Sequence, residues 1–267
     1  MKEPLKPLLT ITDLSVTLGH GLQAVRVLHG VNLSVDKGMT LGIVGESGSG
    51  KSTIAKTIVG LYKPDAGSMI FDDQDLRDSS RAARARVRRR IQLIPQDPYS
   101  SLDPHRTIGQ TLAEALDPVR ARVSRHRPEI EAALAAVAID SAAADRYPFE
   151  FSGGQRQRIA IARALIAAPE VIIADEITSA LDVSTQAEIL ELLGELKERL
   201  NLTVIFISHN LAVVNQICEN VVVLLHGDVV ETGPVHDVFA NPQNDYTRRL
   251  VESVPGGKQF TLASHDE

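Results

Sequence analysis

The octapeptide Gly45-Glu46-Ser47-Gly48-Ser49-Gly50-Lys51-Ser52 constrains this chain more than any other segment. It matches the pattern G-x-x-x-x-G-K-[ST] in full. The apolar, β-branched run Leu41 to Val44 precedes it, and Ser52 to Leu61 follows with a helical apolar period. The segment therefore reads as a buried strand, a glycine loop and a helix start. Glycines let backbone N–H groups converge on phosphate oxygens with no side chain in the way. The helix beginning near Lys51 offers its positive end to an anion. Lys51 can reach the β- and γ-phosphates, and Ser52 can ligate Mg²⁺. The expected nucleotide-binding set is Gly45, Glu46, Ser47, Gly48, Ser49, Gly50, Lys51, Ser52 and Thr53. The loop alone says nucleotide binding and leaves the class open.

Elsewhere short apolar strands alternate with helical patterns. Leu8 to Leu18, Val31 to Val35, Ile91 to Ile94, Val171 to Ala174, Thr203 to Ile207 and Val221 to Leu225 read as strands. Gly153 onward, Thr185 to Leu200 and Leu211 to Ile217 read as helices, and Gly227-Asp228 as a hairpin turn. Thr107 to Ala144 reads as a helical insertion broken near Pro118 and Pro128. This alternation predicts an α/β core with a largely parallel sheet. The 267 residues suffice for one large domain, with or without a subdomain, and 43% apolar against 23% charged residues excludes wholesale disorder. The net charge of -6 gives no support for nucleic acid as the main partner. Seven arginines between Arg77 and Arg90 read as a solvated, alanine-backed helix, since no aromatic residue is interleaved for base stacking. A place near acidic headgroups or a membrane subunit is the alternative for that helix. The single cysteine, Cys218, excludes an internal disulfide and a multi-cysteine cluster. No signal-peptide pattern opens the chain, and its apolar runs are far shorter than the roughly 18–20 residues of a membrane span.

Phe151-Ser152-Gly153-Gly154-Gln155 narrows the class. Here the chain resembles the ABC ATPase family, whose signature has leucine where this chain has Phe151. The likeness spans about Leu8 to Val254 and rests on several ordered motifs. It implies an α/β P-loop NTPase of the ABC ATPase type, with a mixed β-sheet core, an antiparallel β-subdomain and a helical subdomain. A single domain over 8–254 is expected, with the helical subdomain at about 97–158 and a flexible tail over 255–267. Ser152 should cap a helix in a box with Gln155, leaving a second anion site at that helix start. In the family, two ATPase domains pair head to tail. The resemblance therefore implies that Ser152, Gly153, Gly154 and Gln155 face ATP held by a partner's loop. Val171 to Glu176 resembles the Walker B strand, which implies that Asp175 holds Mg²⁺ and that Glu176 polarises the attacking water. The family usually has proline after that glutamate. Ile177 stands there in this chain and predicts a local loop change. Asp182 matches the D-loop that links the two sites. Gln96 matches the Q-loop glutamine, sensing Mg²⁺ and water, and His209 the switch histidine, orienting Glu176 or the water. Expected catalytic residues are thus Glu176, His209 and Gln96, and metal ligands Ser52, Gln96 and Asp175. The family's adenine-stacking aromatic has no match. Leu18 occupies about that position, with His20 nearby.

Ile91 to Pro104, with Gln96-Asp97-Pro98-Tyr99-Ser100-Ser101-Leu102-Asp103-Pro104, resembles the dipeptide, oligopeptide and nickel branch of ABC importers, as does Phe239 to Thr247. Some members of that branch carry a cysteine-rich iron–sulfur cluster, which one cysteine does not permit. The resemblance implies an ATP- and Mg²⁺-dependent hydrolase bound peripherally at the cytoplasmic face of the cell (inner) membrane. Its implied partners are a second ABC ATPase subunit, identical or paralogous, two integral membrane permease subunits and an extracytoplasmic solute-binding protein, with no nucleic acid. Import of di- or oligopeptides is the leading cargo. Nickel or another solute, or peptide export, are alternatives. A soluble ABC ATPase of DNA repair or translation would need long coiled-coil insertions or a second ATPase domain in the chain, which the sequence lacks. A non-catalytic relative is disfavoured by Lys51, Asp175, Glu176 and His209 together.

Overall fold

A computed structural model describes residues 6–77, 80–97 and 101–253. Pro98, Tyr99 and Ser100, and the tail over 255–267, both singled out in the sequence, lie outside the described residues. Five strands run parallel: β3 (Thr40–Val44), β6 (Ile91–Ile94), β7 (Val171–Asp175), β8 (Thr203–Ile207) and β9 (Asn220–Leu225). Strand β10 (Asp228–Pro234) adds antiparallel at one edge, giving the order β10-β9-β3-β8-β7-β6. Strands β3, β7 and β8 are buried at every residue, as strands covered on both faces must be. Successive side chains point to opposite faces, so Val171 and Ile173 join one core cluster and Ile172 and Ala174 the other.

A second, four-stranded antiparallel sheet has the order β2-β1-β4-β5, formed by β1 (Pro7–Leu18), β2 (Val25–Asp36), β4 (Ala66–Phe71) and β5 (Gln74–Asp75). It packs with α1 (Lys51–Ile58) on the first face of the six-stranded sheet. On the other face lie α5 (Gly153–Leu165), α6 (Val183–Leu200) and α7 (Leu211–Ile217). The same cluster takes in the C-terminal helices α8 (Val235–Ala240) and α9 (Asp245–Glu252). Helix α2 (Arg81–Arg90) leads into β6. Helices α3 (Ile108–Leu116) and α4 (Arg127–Ala136), with short 3-10 turns, lie between β6 and α5.

Several boundaries differ from the sequence reading, each for a local reason. Helix α1 stops at Ile58 and does not reach Leu61, because Gly60 (φ 74°) closes it. The N–H of Leu61 bonds the carbonyl of Lys56 and that of Gly60 the carbonyl of Thr57, a Schellman cap. Strand β2 begins at Val25, six residues before Val31, because pairing with β1 continues through Leu18↔Val25 although its first residues are exposed. Pro128 does not break a helix but opens α4, where a missing N–H costs nothing. The hairpin turn is His226-Gly227, with φ of 47° and 87°, and Asp228 is already in β10, paired with Leu225. Helix α6 starts at Val183, two residues before Thr185, because Asp182 caps it.

Candidate nucleotide and hydrolysis site

The loops after the parallel strands β3, β6, β7 and β8 gather at the carboxyl ends of those strands, the place where α/β sheets bind ligands. They carry residues 45–50, Gln96, Asp175-Glu176 and Ser208-His209. Gly45 leaves β3 with φ 150°, and a Cβ there would stand 2.1 Å from the carbonyl oxygen of Leu224, so only glycine fits. Glu46, Ser47 and Gly48 form the exposed crest, while Ser49 and Gly50 are buried. Gly50 (φ 106°) is the N-cap of α1 and gives no side-chain hydrogen bond to its first N–H groups. The helix start keeps its donors and its positive dipole end available to an anion. Lys51 curls over the loop and donates to the carbonyls of Gly45 and Glu46, each at 2.9 Å. Burial lowers its pKa, opposed by the charges of Glu176 and Asp175. Thr53 is buried in α1, its N–H on the carbonyl of Gly50 at 3.0 Å.

Ser52 Oγ donates to Asp175 Oδ1 at 3.0 Å. Asp175 is 4% exposed at the tip of β7. Burial raises its pKa, the Ser52 bond opposes this, and the Glu176 charge adds to the rise. A hydroxyl and a carboxylate side by side are hard oxygen donors that suit Mg²⁺. No group of three or more His, Cys, Asp or Glu fit to hold a metal occurs among the described residues.

Glu176 is where the separate motifs meet. Its Oε2 accepts from Gln96 Nε2 at 2.9 Å. Its Oε1 lies 3.5 Å from His209 Nδ1 and 3.8 Å from Lys51 Nζ. Its side chain is 15% exposed, against 61% for His209. The backbone of Glu176 is left-handed, φ 48°, fixed by its N–H on the carbonyl of Ile207 at 2.9 Å. A non-glycine residue in that region is strained, and such strain clusters at functional sites. Ile177, one residue on, is 1% exposed and packs in the core. Gln96 reaches Glu176 and, at 3.5 Å, Ser179 Oγ, while its amide oxygen is left over from these bonds. Side chains from three motifs up to 158 residues apart, Lys51, Gln96 and His209, thus converge on the carboxylate of a fourth.

The signature lies elsewhere. Ser152 caps α5, its Oγ accepting from Gln155 N–H at 3.3 Å while Gln155 Oε1 accepts from Ser152 N–H at 3.0 Å. Gly153 sits near Leu181, and a Cβ on Gly154 would meet Thr185 Cγ2 at 2.6 Å. No hydrogen bond joins residues 152–155 to residues 45–52 among the described residues. Asp182 caps α6, its carboxylate accepting from Thr185 N–H at 3.0 Å and Thr185 Oγ1 at 2.8 Å. These bonds hold its pKa below the usual carboxylate range. Leu18 ends β1 half-buried against the first core cluster, and His20 is exposed beside it. The sequence reading did not single out Thr185, or the phenol of Tyr246, which accepts from the N–H of Glu46 at 3.0 Å. Tyr246 carries no local motif, whereas Thr185, three residues after Asp182, completes a cap pattern.

A cleft of about 670 Å³ opens between α2, β6, the end of α3 and α5. Leu61, Pro95, Val119, Arg88, Arg89 and Glu114 line it. Leu61 and Val119 are 64% and 90% exposed. Arg90 is turned away from solvent, onto Asp72, Glu170 and the ring of Phe71.

The chain matches the family described as "ABC transporter" over residues 28–179. It is 48% identical over 233 residues to the oligopeptide transport ATP-binding protein AppF of Bacillus subtilis, covering 86% of this chain and 71% of that one. It is 41% identical over 245 residues to the di/tripeptide transport ATP-binding protein DppF of Pseudomonas aeruginosa, covering 91% and 76%. Its fold is similar to the dimeric post-hydrolysis structure of the ATP-binding cassette MJ0796 bound to ADP and Pi, with a TM-score of 0.75 and 30% identity. That match covers 85% of this chain and 98% of the cassette.

Proposed function

The chain belongs to the ABC transporter family as an ATP-binding and ATP-hydrolysing subunit, and from that premise we propose that it powers peptide import as half of a paired ATPase. The observation that carries the hydrolytic part is the convergence of Lys51, Gln96 and His209 on Glu176. In this reading the uncapped start of α1 and the Lys51 ammonium hold the β- and γ-phosphates of ATP. Ser52 and Asp175 would hold Mg²⁺, with Gln96 as a further oxygen donor, and the ion would supply positive charge to the phosphate oxygens. Glu176 accepts a hydrogen bond from the attacking water as the bond from the γ-phosphorus to the ADP oxygen breaks. Gln96 and His209 fix the carboxylate from two sides.

Ser152 and the N–H groups of Gly153 and Gly154 serve a phosphate held by a second subunit. The Ser152 hydroxyl uses one lone pair in the cap, so its proton remains to donate. Support comes from their separation from residues 45–52 and from the dimeric state of the similar cassette. Asp182 would reach the partner with the lone pairs that Thr185 leaves. Leu18, or His20 beside it, would meet the base. Helices α3 and α4, with the start of α5, make up the helical subdomain of a single domain. The cleft beside α2 and α3 receives a short cytoplasmic helix from one of the two membrane subunits, its apolar wall packing and Arg88 and Arg89 meeting acid. No helix among the described residues is long and apolar enough to cross a membrane. Attachment at the cytoplasmic face is therefore assigned to those partners, with an extracytoplasmic binding protein delivering cargo. Peptide is preferred over nickel because the relatives named above are oligopeptide and di/tripeptide transport proteins.

Glu176→Gln tests the reaction. Hydrolysis should fall by about 10³-fold while ATP binding and ATP-dependent pairing persist. Turnover near the wild-type rate would remove Glu176 from its role. Uptake assays with dipeptides, longer peptides and nickel, in cells with and without the gene, test the cargo. Loss of nickel uptake alone would overturn the peptide reading.

A further inference from the structure

The phosphate loop is held from behind by a residue about 200 positions away. Helix α9 begins at Asp245, with Asn244 Oδ1 accepting from the N–H of Tyr246 at 2.8 Å. The turn before it is tied to β10, where the Glu231 carboxylate accepts from the N–H groups of Gln243 and Asn244 at 2.8 and 3.1 Å. These bonds drive the Tyr246 ring into the core beside Val235, Val238 and Phe239, leaving it 5% exposed. Burial pushes the phenol pKa up, so the group is neutral across the physiological range. Its oxygen then accepts from the N–H of Glu46 at 3.0 Å. The carbonyl of that same peptide group, on Gly45, accepts from Lys51 Nζ at 2.9 Å. Phenol, the Gly45–Glu46 peptide group and the Lys51 ammonium form one chain of hydrogen bonds, and such chains polarise and orient one another. Glu46 itself is exposed and follows Gly45, whose close approach to Leu224 fixes only the near end of the loop.

We propose that Tyr246 is a positioning residue for the phosphate loop: by holding the Glu46 N–H it sets the Lys51 ammonium for phosphate and makes nucleotide affinity depend on the docking of the C-terminal helix. This rests on the ATP-binding reading of residues 45–53. Tyr246 touches no substrate in this scheme. It acts through Glu46.

The experiment uses the full chain and a fluorescent ATP analogue, with Tyr246→Phe, Asn244→Ala and Lys51→Ala beside the wild type. Tyr246→Phe keeps the ring and removes only the acceptor. Its Kd for the analogue should rise about three- to tenfold. In hydrolysis, KM for ATP should rise by more than kcat falls. Asn244→Ala keeps the phenol but loosens the helix start, and should move Kd in the same direction by less. Thermal unfolding separates a fold defect from a loop defect, since a merely structural residue would lower the melting temperature without this KM-weighted pattern. An unchanged Kd in Tyr246→Phe, or a loss confined to kcat, overturns the inference. If the wild type itself fails to bind the analogue, or Lys51→Ala binds as well as it does, the ATP-binding reading fails instead.

Discussion

Helix α1 begins behind Gly50, which lends no side chain to its N–H groups, while α5 begins behind Ser152, whose hydroxyl already accepts from Gln155. Both starts are glycine-rich, and both present a positive dipole end. The first is surrounded by its own chemistry, with Lys51, Ser52, Asp175, Glu176, Gln96 and His209 linked by contacts of 2.9 to 3.8 Å. The second is surrounded by fold, with Gln155, Leu181 and Thr185 as its neighbours. A helix start that must wait for a ligand from another molecule needs a cap of its own to stay formed. One that closes over a ligand with its own lysine does not. On the paired reading proposed above, the chain holds one site nearly whole and a fragment of another.

Breaking each half separately gives the largest contrast. Lys51→Ala should abolish nucleotide binding by the isolated subunit. Ser152→Ala should leave that binding within error of wild type, yet lower steady-state hydrolysis by about 100-fold, the scale of one lost transition-state donor. Equilibrium titration of the monomer and turnover of the paired enzyme are the two readouts. Weakened monomer binding in Ser152→Ala would mean that the two anion sites share a nucleotide within one chain.

A smaller effect probes the packing behind the fragment. Helix propensity alone favours Gly154→Ala by about 1 kcal/mol. The new methyl would stand 2.6 Å from Thr185 Cγ2, and such overpacking costs about 1–3 kcal/mol. Gly154→Ala should therefore lower both melting temperature and turnover. Adding Thr185→Ser removes the offending methyl and keeps the hydroxyl that bonds Asp182. The double variant should be more stable than Gly154→Ala alone. If it is not, contact with Thr185 is not what demands glycine at 154.

The two halves were also legible in the sequence to different degrees. Residues 45–52 announce their chemistry because the phosphate and its cation dictate Gly45, Gly50, Lys51 and Ser52. The capping box of Ser152 and Gln155 is readable for the same reason, a local pattern with a local partner. What the sequence could show only by resemblance was convergence: nothing in the spacing of Gln96, Glu176 and His209 says that their side chains meet. Tyr246 falls within Phe239 to Thr247, a run legible only by resemblance, and its role stays hidden because its one informative bond spans 200 positions. The sequence reveals β2 only from Val31, because Val25, Arg26 and His29 are exposed and Leu28 alone in that stretch is fully buried, which leaves no apolar alternation to read. Asp182 was read only for its place across a pair interface. Its role within the fold, as the cap that starts α6 two residues early, follows from an Asp three residues before Thr185, a signal that was present and passed over.

Asp182 supplies the smallest and most specific test, because its cap can be separated from its interface role by pH. Asp182→Ala should lower the melting temperature of the unpaired subunit by about 2–4 °C, the usual weight of one helix cap in a domain of this size. The bonds from Thr185 favour the ionised form and depress the native pKa. The unfolded carboxylate therefore takes up its proton first as pH falls. The advantage of wild type over Asp182→Ala should be full above the ordinary aspartate range, near about 4, and should fade as pH drops through the lower native value. Asp182→Asn, which keeps an acceptor but cannot titrate, should retain part of the stability and lose the acid-dependent component. Melting curves of the three proteins between neutral and acid pH measure this. If the wild-type advantage over Asp182→Ala is flat across that range, the carboxylate is not capping α6 as an anion, and Asp182 belongs wholly to the contact between subunits.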